Sequence, residues 1–293
     1  MIDVGVLMQA YQDACELELQ AFKPGNVSVF AEGHDMTVAD FRRSATVSAK
    51  PLCHLEYSLG EKIFYAVQAT REAVGCNTNL GIILLCAPLF EAVTAVHYSE
   101  LGLRAALQHV LAATTMSDAE WVFKAISLAA PGGLGASDQQ DVQDKPDVTL
   151  TEAMAIAASK DRIALQYVSA YGDIFDFCVP LYYNSADKWA DRSWAALAVY
   201  AALLSQFPDS HIERKYGTRY NDTVANKMTL LAHALSTADN PKLLLPLLYQ
   251  LDSEFKTLHL NPGTSADMVV ATVFTVFLED LHKSSNKFVQ QNK

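Results

Sequence analysis

The sequence predicts an all-α fold in one domain, residues 1–293, with about ten helices. Only 13 glycines and 10 prolines interrupt 293 residues, and 51% of the residues are hydrophobic, which favours long uninterrupted elements. Apolar residues recur at helical spacing along most of the chain, whereas no segment shows a convincing period-two alternation of strands. The length alone allows one large domain or two ordinary ones, and we expect one.

The charge balance limits the classes of partner. The chain has 22 Lys and Arg against 33 Asp and Glu, which gives a net charge of -11. This charge repels polyanions at long range and makes nucleic acid an unexpected partner. A small anionic ligand remains compatible, because local cations, helix N-termini or a bound metal act at contact distance.

Cysteine usage and hydropathy predict a cytoplasmic protein. The five cysteines have no close Cys/His pattern and are expected to be reduced and mostly buried. No basic region precedes an apolar core at the N-terminus, so no secretory signal is expected. The longest apolar runs, Leu80–Phe90 and Met268–Leu278, are about half of the roughly 20 residues that a membrane span needs. We therefore expect no membrane association, and the sequence leaves the oligomeric state open.

Helices in the first half of the chain are bounded by turns and by capping patterns. A capping box at Thr37 opens a helix that should end before Pro51, and a second box is expected at Ser117. The predicted helices cover residues 2–22, 37–48, 59–74, 80–97, 101–113 and 118–129. The glycine-rich region from Pro131 to Pro146 is expected to be irregular.

The second half is predicted in the same way. A capping box at Thr149 should open one long helix to about Val168. Its Asp161 and Arg162 lie on a face that points either at the site or at solvent, and solvent is the default. Pro180 is expected to separate this region from the next helix. The remaining predicted helices cover residues 189–204, 223–235, 243–258 and 268–281, and the last ten residues should fray.

A polar turn from Gly75 to Gly81 leads directly into the most apolar helix. Asn77, Thr78 and Asn79 lie between the two glycines, at the predicted N-terminus of that helix. Free backbone N–H groups at such a terminus suit an anion such as phosphate. Asn and Thr are also ordinary capping residues, so a purely structural cap is the alternative.

Similar polar turns recur along the chain. Lys23–Ser28 has the Pro-Gly content of a turn, Gly33–Met36 follows closely, and Asp209–Gly217 is a charged segment. If that segment is helical, Asp209 and Glu213 share a face, and their like charges are mildly unfavourable unless a cation binds between them. A charged, solvated turn is the alternative. Pro262–Asp267 opens the final apolar helix and is either a cap or a second anion-facing N-terminus.

These five turns, in this order, resemble the triphosphoribosyl-dephospho-coenzyme A synthase family, which makes the prosthetic-group precursor of citrate lyase and malonate decarboxylase. The resemblance covers most of the chain and implies an α-helical enzyme. It also implies a transferase that joins ATP to the ribose 2′-hydroxyl of dephospho-coenzyme A and releases adenine. A nucleotide and a small-molecule acceptor are then the expected ligands, with Mg²⁺ as the expected cofactor.

With that reaction in view, residue type suggests roles within the turns. Displacement at an anomeric carbon needs charge neutralisation, stabilisation of developing positive charge and a base. Carboxylates are expected to act as base or Mg²⁺ ligands, namely Asp35, Asp209 and Asp267. Substrate or phosphate binding is expected from Lys23, Gly25, Asn26, Ser28, His34, Asn77, Thr78, Asn79, Gly81, His211, Glu213, Arg214, Gly263 and Ser265.

The chain also departs from the typical family pattern. Where that pattern has Asn-Thr-His-Lys-Gly, this sequence has Asn77-Thr78-Asn79-Leu80-Gly81, and Asp209-Ser210-His211 replaces Asp-Thr-Asn. These features look more like a branch seen in methanogens and methylotrophs. The alternatives are therefore a related ribosyl or phosphoribosyl transfer, a transferase step in one-carbon carrier cofactor biosynthesis, or a helical nucleotide- or cofactor-binding protein without catalysis.

Overall fold

The computed structural model describes residues 3–33, 36–95, 101–131 and 140–291. These residues contain no β-strand, only isolated bridges that pair Ser28 with Ala31 and Gly33 with Met36. The all-α prediction is therefore confirmed. The helices are α1 Val4–Gln20, α2 Val38–Leu52, α3 Leu59–Val74, α4 Leu80–Thr94, α5 Leu103–Ala112, α6 Met116–Ala129, α7 Leu150–Ala157, α8 Arg162–Ser169, α9 Val179–Trp189, α10 Arg192–Gln206, α11 Ser210–Tyr216, α12 Asn221–Thr237, α13 Leu245–Thr257 and α14 Gly263–Gln291.

Capping explains most helix starts, with two corrections. The box at Thr37 forms as predicted, but α2 continues through Pro51 to Leu52. Pro51 lies in the last turn of that helix, whereas the predicted helix ends at residue 48. The box that opens α6 uses Thr115 with Asp118, so the predicted cap at Ser117 is wrong.

The predicted long helix after Thr149 is two helices. The box of Thr149 with Glu152 opens α7 as expected. Asp161 then caps a new helix, because its side chain accepts hydrogen bonds from the backbone N–H groups of Ile163 and Ala164. The chain turns between α7 and α8, and this turn carries Asp161 to the wall of a large cavity.

Pro180 does not interrupt the chain as predicted. A short π-helical segment, Asp173–Cys178, runs directly into α9, and Pro180 occupies one of the first positions of α9. Proline is tolerated at a helix start because its missing N–H would have no intrahelical partner there. A helix was therefore missed upstream of the predicted one at residues 189–204.

Helix α4 lies at the centre of the fold. All its residues from Leu80 to Phe90 are buried, as predicted, and all of them except Gly81 and Pro88 belong to the main apolar cluster. Pro88 cannot donate the hydrogen bond that the carbonyl of Leu84 would receive in a regular helix. The hydroxyl of Tyr167 donates to this carbonyl at 2.7 Å, and that of Tyr171 donates to Leu85 at 2.8 Å.

The start of α4 is surrounded by the starts of α8, α11 and α14, and by the end of α1. Helix α14 continues to Gln291, beyond the predicted end at Leu281. No helix of the described chain combines the length and apolar character that a membrane crossing requires. The fold thus places four polar chain segments around one end of a buried apolar helix.

Candidate active site

A cavity of about 680 Å³ opens at the start of α4. One end of it is polar and is lined by the first residues of α4, α11 and α14 together with the end of α1. The other end is an apolar wall from α6, α7 and α8. These three helices contribute Val122, Phe123, Ile126, Leu150, Ala153, Met154, Ile156, Ala157, Ile163 and Ala164 to the apolar wall.

Four of the five polar turns contribute predicted site residues to this cavity, and the remaining one contributes Met36. The predicted residues on the wall are Asn26, Asn77, Thr78, Asn79, Gly81, His211, Arg214, Gly263 and Asp267. The turns lie far apart in the sequence, so the fold brings them together. Nine predicted site residues from four separate turns therefore share one cavity.

The turn at the start of α4 is held by side chains from within it and from α2. The carbonyl oxygen of the Asn77 side chain accepts a hydrogen bond from the backbone N–H of Leu80 at 3.1 Å. Thr78 donates to Ser44 at 2.6 Å, and Asn79 donates to Ser48 at 3.3 Å. Asn79 makes no side-chain cap at its own helix, so its amide fixes the turn against α2.

Asp267 reaches into the cavity against the first turn of α4. A Cβ atom added at Gly81 would lie 2.1 Å from Oδ2 of Asp267 and 2.6 Å from Cδ1 of Ile163. Such distances do not occur between real atoms, so only glycine allows the carboxylate this close approach. Gly81 therefore has a steric role in addition to its place at a helix N-terminus.

The environment of Asp267 favours the protonated carboxyl. Burial raises the pKa of this group well above its usual range, and the negative charges of Glu18 and Asp209 act in the same direction. Arg214 opposes them by attraction. A carboxyl in a cavity with a raised pKa is typical of groups that transfer protons near neutral pH.

Asp209 lies beside the site but faces away from the cavity. Its Oδ1 accepts hydrogen bonds from the backbone N–H groups of His211 and Ile212, at 3.0 and 3.2 Å. Its Oδ2 accepts from both the backbone N–H and the hydroxyl of Ser265, each at 2.8 Å. The carboxylate thus caps α11 and joins it to α14, an arrangement that supports a structural role for Asp209 and Ser265.

Lys23 is also placed differently from the expectation of phosphate contact. It is fully buried and forms an ion pair with Glu18, with 2.9 Å between Nζ and Oε1. Nζ also donates to the carbonyl oxygens of Glu18 and Val27, at 2.8 and 2.9 Å. These acceptors use the three protons of the ammonium group, and Lys23 does not line the cavity.

The rest of the Lys23–Ser28 turn docks on α13 and on the loop after it. Gly25 adopts φ of 81°, which favours glycine, and its N–H donates to Asp252 at 2.9 Å. Asn26 lines the cavity and donates to Asn261 at 2.8 Å. Ser28 is buried away from the cavity lining.

Helix α11 presents a positively charged and an imidazole side chain to the cavity. Arg214 donates to Oδ2 of Asp161 at 2.5 Å, and both side chains are partly exposed on the wall. His211 also lines the cavity, and its ring lies close to Gly263. Glu213 instead accepts a hydrogen bond from Asn221 at 2.7 Å, so no cation is needed between Glu213 and Asp209.

The predicted metal set is not assembled by the described residues. Asp35 and His34 lie outside the residues that the structure describes. Within those residues, no group of three or more His, Cys, Asp or Glu side chains is arranged to hold a metal ion. Both oxygens of Asp209 already accept hydrogen bonds, which leaves Asp267 as the described member of the set that faces the cavity.

Sequence reasoning did not select four charged residues of the cavity, namely Glu18, Asp141, Lys160 and Asp161. Glu18 is 3% exposed and lines the polar end. Lys160 is exposed on the wall at the turn between α7 and α8. Glu18 lies within an amphipathic helix among several other acids, and Lys160 in an apparently continuous helix, so neither had a local signal that separated it from solvent-facing charges.

Comparisons with known proteins show a shared fold and, separately, the family of the chain. The crystal structure of a protein from Archaeoglobus fulgidus, assigned as a triphosphoribosyl-dephospho-coA synthase, is similar with a TM-score of 0.59 at 20% sequence identity. The similarity covers 80% of this chain and 97% of that chain. No curated protein matches the sequence. Residues 5–286 match the ATP:dephospho-CoA triphosphoribosyl transferase family, and the chain belongs to this family of transferases.

Proposed function

We propose that the cavity binds ATP together with dephospho-CoA, and that the protein transfers the triphosphoribosyl group of ATP to the ribose 2′-hydroxyl of dephospho-CoA. The observation that carries this proposal is the position of Asp267, a cavity carboxyl with a raised pKa at the point where the polar turns meet. Family membership supports the choice of substrates. The volume of about 680 Å³ falls within the range of small-molecule sites.

The two ends of the cavity suit different parts of these substrates. The polar end offers amides, a hydroxyl, an imidazole and the N-termini of α4 and α14, which suit ribose hydroxyls and phosphates. The apolar wall, with Phe123, Ile126 and Met154, suits an adenine ring or the pantetheine arm of the acceptor. Both substrates contain a polar and an apolar part, as the cavity does.

The reaction requires one bond to break and one to form. The bond between C1′ of ATP and N9 of adenine breaks, and its electron pair leaves with adenine. The 2′-oxygen of dephospho-CoA bonds to C1′, and the proton of that hydroxyl is transferred to the departing adenine. Asp267 is the group we assign to this proton transfer, since a cavity carboxyl with a raised pKa holds its proton more readily than an ordinary carboxylate and can exchange it with a substrate.

We further propose that ATP enters as its Mg²⁺ complex. Asp267 does not enter the charge balance, because its environment favours the neutral form. Among the other described charges of the lining, three carboxylates outnumber two cations: Glu18, Asp141 and Asp161 against Lys160 and Arg214. This excess of negative charge opposes a bare triphosphate. Magnesium is commonly held by substrate phosphates, water and only one or two carboxylates, so a preformed set of three protein ligands is not required. The ion would neutralise the phosphate charge.

The experiment is a turnover assay with purified protein, ATP, dephospho-CoA and Mg²⁺. We expect stoichiometric release of adenine and a product whose mass equals the sum of both substrates less adenine. Chelation of Mg²⁺ should abolish the reaction. Asp267→Asn should lower kcat by a factor of at least about 100, whereas Asp176→Asn, an exposed carboxylate paired with Arg104, should leave it unchanged. Full activity of Asp267→Asn would contradict the assigned role.

One feature favours a second acceptor class. Asn79 and Leu80, at the start of α4, carry no charge, so this part of the wall adds no cation for phosphate. An acceptor with fewer phosphates, such as a pterin- or furan-type carrier of one-carbon units, fits such a wall. Parallel assays should include such acceptors with ATP, and phosphoribosyl pyrophosphate as an alternative donor. Saturable binding of all these compounds without turnover would instead indicate a non-catalytic binding protein.

A further inference from the structure

The ion pair of Glu18 and Lys23 has a feature that its position in the fold does not explain. Both side chains are buried, at 3% and 0% exposure, and yet Glu18 lines the cavity. Removing two charges from water is expensive, and an apolar pair of similar size is often at least as stable. This desolvation cost suggests that the charge of one of the two side chains acts on a ligand in the cavity.

Geometry identifies Glu18 as that partner. Lys23 directs its ammonium group to Oε1 and the carbonyl oxygen of Glu18 and to the carbonyl oxygen of Val27, all within 2.9 Å. It has no proton left for a ligand. Within the described residues, Oε2 of Glu18 accepts no hydrogen bond, although the side chain lies on the cavity wall. Lys23 therefore fixes a carboxylate whose second oxygen is available to a substrate.

The position of Glu18 relative to Asp267 supports this interpretation. Glu18 lines a small pocket together with Asn79 and Ile82, and the Asp267 carboxylate lies against Gly81. Both carboxyls therefore line the cavity near the N-terminus of α4, and the charge of Glu18 raises the pKa of Asp267. In the proposed transfer, positive charge develops on C1′ and the ring oxygen of the ribose as adenine departs, and a fixed carboxylate in a low-dielectric cavity stabilises such charge.

We propose that Glu18 is a further catalytic residue, which contacts the ribose of ATP and stabilises the positive charge that forms on it. This inference rests on the proposed transferase function. Lys23 is its positioning residue, since it holds one carboxylate oxygen and leaves the other toward the cavity. The alternative is that Glu18 only neutralises a buried lysine.

A paired substitution distinguishes these roles. Glu18→Gln keeps a side-chain oxygen that can accept from Lys23 but removes the charge. The double variant Glu18→Gln with Lys23→Met removes both charges and so restores the charge balance. We expect the single variant to lower kcat by a factor of about 100 to 1,000, with KM for ATP changed by less than about threefold. The double variant should regain the Tm of the wild type but not its kcat.

A second buried lysine provides the matched control. Lys62 is 3% exposed and pairs with Glu91, away from the cavity lining. Glu91→Gln removes a lysine partner as Glu18→Gln does, and we expect it to change Tm and leave kcat within about threefold. A variant that loses activity only through instability would show the same pattern at both positions.

The outcomes separate this inference from the proposed function. Recovery of wild-type kcat in the double variant, or an equal loss in Glu91→Gln, would overturn the catalytic role of Glu18 while leaving the transferase function intact. A wild-type protein that releases no adenine with any donor and acceptor pair would contradict both. Activity that is lost in Glu18→Gln and in the double variant, with unchanged ATP binding by calorimetry, would support the inference.

Discussion

Gly81→Ala provides a direct test of the position of Asp267. The added Cβ atom would lie 2.1 Å from Oδ2 and 2.7 Å from Cγ of Asp267. Since nonbonded atoms pack at about 3.5 Å or more, the carboxylate must retreat by more than about 1 Å. Displacements of about 1 Å at a reacting group can cost a factor of about 100 in rate. We therefore expect kcat for adenine release to fall about 100-fold.

The expected effect of Gly81→Ala on stability is much smaller. Overpacking typically costs about 1–3 kcal/mol, and alanine recovers about 1 kcal/mol relative to glycine in a helix. The net loss in free energy of unfolding should thus be about 0–2 kcal/mol, measured by urea denaturation. The variant should remain folded under the conditions of the turnover assay.

Gly60→Ala is the matched control for this experiment. Gly60 is the second residue of α3, as Gly81 is of α4. A Cβ atom at Gly60 would lie 2.7 Å from Cα of Asp118, outside the cavity lining. We expect Gly60→Ala to lose stability and keep kcat. If Gly81→Ala keeps kcat within threefold of the wild type, the placement of Asp267 against α4 is not needed for the reaction.

Three further predictions concern the charged groups around the cavity. Asp209→Asn should lower the free energy of unfolding, measured by urea denaturation, by about 1–3 kcal/mol. The reason is that the NH₂ group of the new amide cannot accept the hydrogen bonds that Ser265 donates to Oδ2 of Asp209. Asp267→Asn should make the protein more stable at pH 7.5. The raised pKa means that ionisation of Asp267 opposes folding once the pH exceeds the unfolded value, so the gain should shrink as pH falls toward 4. Arg214→Gln should raise KM for ATP about tenfold with little change in Tm, because Arg214 and its partner Asp161 are partly exposed; an unchanged KM would exclude Arg214 from binding.

The sequence predicts the parts of the fold that depend on local interactions. Capping boxes at Thr37 and Thr149 act within four residues, so they are visible in the sequence and form as expected. The break at Asp161 was missed, because the residues around it keep an apolar pattern that is compatible with one long helix. Asp161 caps α8 locally, but its second oxygen pairs with Arg214, more than 50 residues away.

The same distinction explains the predicted site residues. The polar turns carry recognisable residue types, and most of those types reach the cavity wall. Which oxygen or ammonium group faces a ligand is decided by partners from other segments. Lys23 forms an ion pair with Glu18, and Asp209 accepts a hydrogen bond from Ser265. Neither pairing follows from sequence spacing.

These buried pairings also explain how separate loops form one site. The Asp209 carboxylate joins the starts of α11 and α14, and the contact of Asn26 with Asn261 joins the Lys23–Ser28 turn to the loop before α14. Each pairing fixes one loop against another segment of the chain. Asp267 lies two residues after Ser265 and makes none of these contacts. The fold thus uses Asp209 to position α14 and leaves Asp267 to face the cavity, where we propose that it exchanges its proton with a substrate.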